Sequence, residues 1–139
     1  MKAVIQRVAN ASVTVDGEVK GSIESGFLIL LGVENGDNES EAKTLAAKIA
    51  GNDKMNLSLL DIDGSALVIS NFTLCADARK GRRPNFTNAA MPDIANPLYE
   101  YFCECLRENG VKRVEQGVFG ADMKVSLIND GPVTILLEK

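Results

Sequence analysis

The 139-residue chain contains no histidine. That excludes Ser-His and Cys-His nucleophile pairs and the zinc sites built on imidazole. Any general base must be a carboxylate, lysine, tyrosine or thiolate, or must come from the substrate itself. Aromatic residues make up only 5%, so any exposed ring would be conspicuous. Cysteine is sparse: Cys75, Cys103 and Cys105 cannot all pair within one chain. Cys103 and Cys105 stand two apart in a helical pattern and so do not share a face. There is no C-x-x-C, and a reducing cytoplasm is the simplest fit. No apolar run approaches the roughly 18 residues of a membrane span, and "FLILLGV" is strand-sized. "MKAVIQRV" carries no secretory h-region. Neither G-x-G-x-x-G nor a P-loop occurs, so nucleotide-binding folds of that kind are not supported. The expectation is a cytoplasmic protein with no membrane partner, folded as one domain over residues 1–139.

Charge is the next constraint. The formal net charge is −4, which argues against coating long duplexes, where phosphate neutralisation dominates affinity. Yet "ARKGRRP" places Arg79, Lys80, Arg82 and Arg83 around Gly81, four of the fifteen basic residues in five positions. Such a run is either a solvated loop or a clamp on phosphates.

Pattern then gives the elements. "AVIQRV" reads as a first strand, and "SVTVDGEVKGSI" as a hairpin turning at Asp16-Gly17. "GFLILLGVE" is nearly all apolar and predicts a central strand buried on both faces. "DNESEAKTLAAKIAG" predicts a helix capped by Asp37 or Asn38 and ended by Gly51, with Ala42, Leu45, Ala46 and Ile49 as its stripe. "LSLLDIDGSALVISNFTL" predicts a second hairpin, turning at Asp63-Gly64. "PDIANPLYEYFCECLRENG" predicts a second helix whose inner face carries Leu98, Phe102, Cys105 and Leu106. Pro97 fits only in its first turn, and Gly110 closes it. Two or three strands around "KRVEQG", "DMKVSLIN" and "VTILLE" complete the chain. Asn-Asp-Gly-Pro between the last two is strong turn chemistry, since proline offers no N–H to a ladder. The fold class is α+β: a mainly antiparallel, barrel-like sheet flanked by two helices.

Two further places could carry chemistry. "SNFTL", Ser70 to Leu74, ends a strand and runs into the basic loop. Its polar groups are either an ordinary strand end or donors to an oxyanion. Thr73 is a poor nucleophile without a histidine to activate it. "GVFGADMKV" is a loop whose Phe119 either packs inward or stacks on a base.

Taken together, "MKAVIQRV…ASVTVDG", "SNFTL…ADARKGRRPNF" and "GVFGADMKVSLINDGPVT" resemble the D-aminoacyl-tRNA deacylase family, in order from Met1 to Leu137. The resemblance implies a homodimer with active sites at the subunit interface and no cofactor or metal. It implies hydrolysis of the ester between the tRNA 3′-terminal adenosine and a D-amino acid, or glycine mischarged on tRNA-Ala. The outcome is chirality proofreading in translation. By this likeness Ser70, Asn71, Phe72 and Thr73 fall on the catalytic Ser-Gln-Phe-Thr motif. Gly131 and Pro132 fall on a Gly-cis-Pro motif that one subunit inserts into the other's site, steadied by Arg7. Phe119 lies in a segment near the terminal adenosine, and Arg79, Lys80, Arg82 and Arg83 would meet tRNA.

Two departures stand out. Asn71 replaces the usual glutamine, and "AAKIAGNDKMNLS" lacks about seven residues that relatives carry before "KMN". An aminoacyl ester is already activated, so positioning and oxyanion stabilisation matter more than a strong base. The resemblance implies that the tRNA 2′-hydroxyl and backbone groups do this work, which suits a chain without histidine. The competing reading is a non-catalytic module on the same fold that binds tRNA or DNA through "RKGRR".

Overall fold

The computed structural model describes residues 1–51 and 59–139. Strand β1, Lys2–Val15, turns at Asp16-Gly17 into β2, Glu18–Ile23. Both turn residues have positive φ, 51° and 77°, as a type I′ turn requires. Strand β3, Gly26–Gly32, lies between β1 and β4, Ser65–Ser70, and is buried along nearly its whole length. Helix α1, Glu39–Ala50, is capped by Asn38, whose side chain accepts from the Ser40 N–H while Glu41 reaches back to the Asn38 N–H. Helix α2, Pro92–Glu108, then leads through β5, Val114–Gln116, to β6, Lys124–Glu138.

The sheet order is β2-β1-β3-β4-β5, with β6 added along β1. Pairings of β1 with β2, β3 and β6 are antiparallel, and those of β4 with β3 and β5 are parallel. The two ends of the order curl toward each other. A Cβ on Gly21 of β2 would stand 2.8 Å from the Gln116 carbonyl of β5, so only glycine allows this approach. Arg113 ties the same edges by donating to the Ser22 carbonyl at 2.9 Å. The result is a nearly closed barrel. Val8, Val13, Leu28 and Leu67 fill its interior, while α1 and α2 cover the outer face through Leu45, Ile49, Tyr99 and Phe102.

Three sequence expectations need correction. Among the described residues the predicted second hairpin does not form: 59–63 is turn, β4 runs parallel to β3, and the start of the predicted first arm, 57–58, lies outside the described residues. A strand whose Ala66, Leu67 and Val68 are wholly buried sits between two neighbours and has no edge left for a hairpin partner. Helix α1 serves as the crossover that a parallel pair needs. Pro97 is the sixth residue of α2, beyond the first turn, so the Asp93 carbonyl loses its intrahelical donor. The buried face from Ala95 to Leu106 holds the helix through that loss. Finally, Gly131-Pro132 does not turn the chain back. Strand β6 passes through it and pairs with β1 on both sides, so "DMKVSLIN" and "VTILLE" are one strand. The shortened "AAKIAGNDKMNLS" segment falls largely outside the described residues.

Candidate active site

The parallel strands β3 and β4 point one set of ends toward an open cleft of about 820 Å³. Leu28, Leu30 and Ile69 give it an apolar floor, Gln6 enters from β1, and Ser70, Asn71 and Phe72 form one wall. The loop Phe119–Met123 forms the opposite wall, and Phe86, Met91 and Pro92 complete the rim.

Local structure explains the first wall. Past Ser70 the chain leaves the sheet with a last ladder bond, Asn71 N–H to the Leu31 carbonyl at 2.8 Å. It then tightens into a 3-10 turn, Phe72–Cys75, capped by the Asn71 side chain. The Asn71 carboxamide oxygen accepts from the Thr73 N–H at 3.3 Å and from the Thr73 hydroxyl at 2.5 Å. Thr73 is therefore joined to an amide oxygen, which is no base. Phe72 points outward, 57% exposed, and meets Phe86 edge to face at 5.3 Å. On the opposite wall Phe119 is half-buried and leans on Tyr99 at 6.2 Å. Burial pushes the Tyr99 phenol far up, and its hydroxyl donates to the Val68 carbonyl at 2.7 Å.

The structure thus brings Ser70, Asn71, Phe72 and Phe119 around one cleft, with Thr73 just outside it. It gathers Arg7, Gly131 and Pro132 elsewhere. On β1, Gln6 pairs with Thr134 and Val8 with Asn129, so Asp130–Val133 bulge out opposite Arg7 alone. The Gly131-Pro132 bond is cis, as expected. Arg7 Nε lies 3.7 Å from an Asp130 carboxylate oxygen. Neither Gly131 nor Pro132 lines the cleft of its own chain.

The basic residues form a third group. Backbone bonds between Asp77 and Asn85, at 2.7 and 2.8 Å, close an exposed loop that carries all four charges. Arg79 folds back on Asp77, with Nε at 2.9 Å and Nη2 at 2.8 Å. These bonds hold the Asp77 carboxyl down at about 2. Lys80, Arg82 and Arg83 make no such contact among the described residues. Sequence reasoning missed Gln6, Phe86, Met91 and Met123 as cleft residues; Phe86 had a signal, an aromatic three residues after the basic run. Among the described residues no three His, Cys, Asp or Glu side chains group to hold a metal ion, and no helix is long and apolar enough to cross a membrane.

A barrel-like α+β fold with an apolar cleft at its strand ends, a cis Gly-Pro bulge on an outer strand and a basic loop defines a narrow class of protein. Residues 4–138 match the family model described as D-Tyr-tRNA(Tyr) deacylase. A D-aminoacyl-tRNA deacylase of Thermus aquaticus is 57% identical, with 99% of this chain and 95% of that protein covered. That alignment spans 145 positions, more than the chain's 139 residues, so the relative holds positions to which nothing here corresponds. Among solved structures, the c-Myc DNA unwinding element binding protein superposes with a TM-score of 0.90 at 38% identity, covering 100% of this chain and 99% of that one. A probable eukaryotic D-amino acid tRNA deacylase shares the fold at 15% identity and a TM-score of 0.81, with 98% and 97% covered. The chain belongs to the D-Tyr-tRNA(Tyr) deacylase family.

Proposed function

We propose that the protein hydrolyses the ester bond of D-aminoacyl-tRNA, releasing free D-amino acid and tRNA, and so proofreads chirality in translation. The observation that carries this reading is the cleft in which Ser70, Asn71, Phe72 and Phe119 converge, in a chain matched over residues 4–138. The ester is activated before it arrives, so the protein's task is to hold it and stabilise developing negative charge. Ser70 and the Phe72 N–H stand where the sheet ends and supply those donors, the Asn71 and Thr73 N–H groups being already bonded. No side chain here offers a paired base, and the tRNA 2′-hydroxyl takes that role. Phe119 packs beside the terminal adenosine. Arg82, Arg83 and Lys80 meet phosphates of the tRNA end, with Arg79 held back by Asp77.

Handedness is assigned to Arg7, Gly131 and Pro132 acting across a homodimer. Their absence from their own chain's cleft supports a partner subunit as the recipient. Backbone groups there accept from the substrate α-amino group and obstruct an L side chain, whatever the amino acid. Glycine esters, including those mischarged on tRNA-Ala, pass the same filter, and the working compartment is the cytoplasm. Pure protein at substoichiometric amounts should cleave D-Tyr and glycyl esters repeatedly and spare L-Tyr-tRNA. Equal cleavage of D- and L-Tyr esters, or no turnover, would sink the proposal.

A second reading is a non-catalytic module that binds tRNA or DNA through the basic loop. The 38% identical solved structure, that of the c-Myc DNA unwinding element binding protein, favours keeping it. Multiple turnover on D-Tyr-tRNA excludes it.

A further inference from the structure

The rings of Phe72 and Phe86 at the cleft rim take no part in the ester hydrolysis, which draws on Phe72 only through its backbone. Phe72 and Phe86 are 57% and 37% exposed in a chain with only 5% aromatics. Their rings stand 5.3 Å apart at 68°, so the two form an L-shaped corner open to solvent. A flat base laid on one ring would meet the edge of the other, the offset geometry that aromatic groups prefer. The corner is also firmly built. Asp77 and Asn85 pair on one side of Phe86, and on the other Asn35 bonds to the carbonyls of Thr87 at 2.7 Å and Asn88 at 2.9 Å. Phe72 is fixed by the capped 3-10 turn. Three residues before Phe86 comes Arg83, within at most about 11 Å along the chain. A stacking surface beside uncommitted cations is the arrangement that grips single-stranded nucleic acid.

We propose that the Phe72–Phe86 corner seats the unpaired base next to the reacting terminal adenosine, with Arg82 and Arg83 on the adjoining phosphates. The assignment rests on the deacylase reading for its ligand. It separates two functions along the strand: Phe119 serves the terminal nucleotide inside the cleft, and the rim holds its neighbour outside. The charge beside the corner argues for nucleic acid over a second copy of this acidic chain.

The test uses uncharged tRNA carrying 2-aminopurine at the next-to-last position, whose fluorescence is quenched on stacking. Wild-type protein should quench it, and Phe86→Ala should relieve the quench and weaken binding about fivefold to a hundredfold. Phe86→Trp should restore both. Arg82→Ala with Arg83→Ala should instead flatten the salt dependence and leave the residual quench at saturation. No quench in the wild type, or Phe86→Ala binding within twofold, would overturn the seat. So would a shift of Phe86→Ala to a smaller species in solution, since a second copy would then be the occupant. Deacylation of D-Tyr-tRNA is measured on the same wild-type sample. Its failure alone refutes the deacylase reading and leaves the stacking result standing on uncharged tRNA.

Discussion

The Asn71 carboxamide oxygen holds both donors of Thr73, the N–H at 3.3 Å and the hydroxyl at 2.5 Å. The bond fixes where the hydroxyl proton points: toward Asn71, away from any acceptor that could activate the oxygen as a nucleophile. Thr73→Ala should therefore retain activity within about tenfold, since general acid–base roles contribute more than that. Trapping an acyl-enzyme on Thr73 would contradict this.

Asn71 itself should matter for shape. As the cap of the 3-10 turn, it orients the backbone that borders the cleft. Asn71→Ala should cost about 1 kcal/mol of stability, the usual worth of such a cap, and lower kcat more than it raises KM. Thermal melts and steady-state kinetics on D-Tyr-tRNA check both. A variant of unchanged melting temperature and kcat would show that the cap is idle.

The basic loop is expected to act in binding. Arg82→Ala with Arg83→Ala removes exposed charges that make no internal bond among the described residues. KM should rise and its salt dependence flatten, with kcat little changed. A collapse of kcat at constant KM would move these residues into the chemistry.

Asp77 sets the pH range of that loop. Hydrogen bonds from Arg79 depress its carboxyl from 3.8 to about 2. A depressed carboxylate contributes fully above its unfolded value and loses that contribution as pH falls through the folded one. The loop's geometry should hold from neutral pH to about 4 and loosen between about 4 and 2. A carboxyl titration by NMR that places Asp77 near 4 would refute the contact. Because Arg79 is exposed and the pair lies at the surface, its effect belongs to the loop and not to global stability.

How much of this was legible in sequence depends on whether the deciding force was local. The Asp16-Gly17 hairpin and the Asn38 cap were legible because turn and cap chemistry lie within four residues. Strand β4 was placed correctly but given the wrong neighbour, since period and apolarity cannot tell a hairpin arm from the second strand of a crossover. Gly131-Pro132 misled for a related reason. Turn chemistry was real, but β1 pairs with the chain before and after it and converts the turn into a bulge. Of the cleft, Ser70, Asn71, Phe72 and Phe119 were found through motifs, whereas Gln6 and Met91 come from distant elements and carry no local mark.

The three thiols should be inert in the folded protein. Cys75, Cys103 and Cys105 are all buried, and burial raises each, Cys103 to about 12. Thiolate is the reactive form, so iodoacetamide at pH 8 should leave mass and activity unchanged. Denaturant should expose all three to alkylation. Fast modification with loss of activity under native conditions would point to an accessible thiol near the cleft.

The last prediction concerns the bulge opposite Arg7. Gly131 has φ of 136°, and a Cβ there would stand 2.8 Å from the Val133 nitrogen. Gly131→Ala must therefore move the backbone that the proposal assigns to refusing L-esters. Arg7 supports the same bulge from β1, its Nε 3.7 Å from Asp130. If the bulge only stabilised the barrel, either change would lower D- and L-ester hydrolysis together. If it selects handedness, the ratio of L- to D-Tyr-tRNA cleavage should rise about tenfold or more, the effect of some 1.4 kcal/mol of lost discrimination. Arg7→Lys should fall between wild type and Arg7→Ala, because a lysine keeps the charge but not the planar fork. Parallel losses in both substrates, with the ratio fixed, would assign the bulge to stability alone.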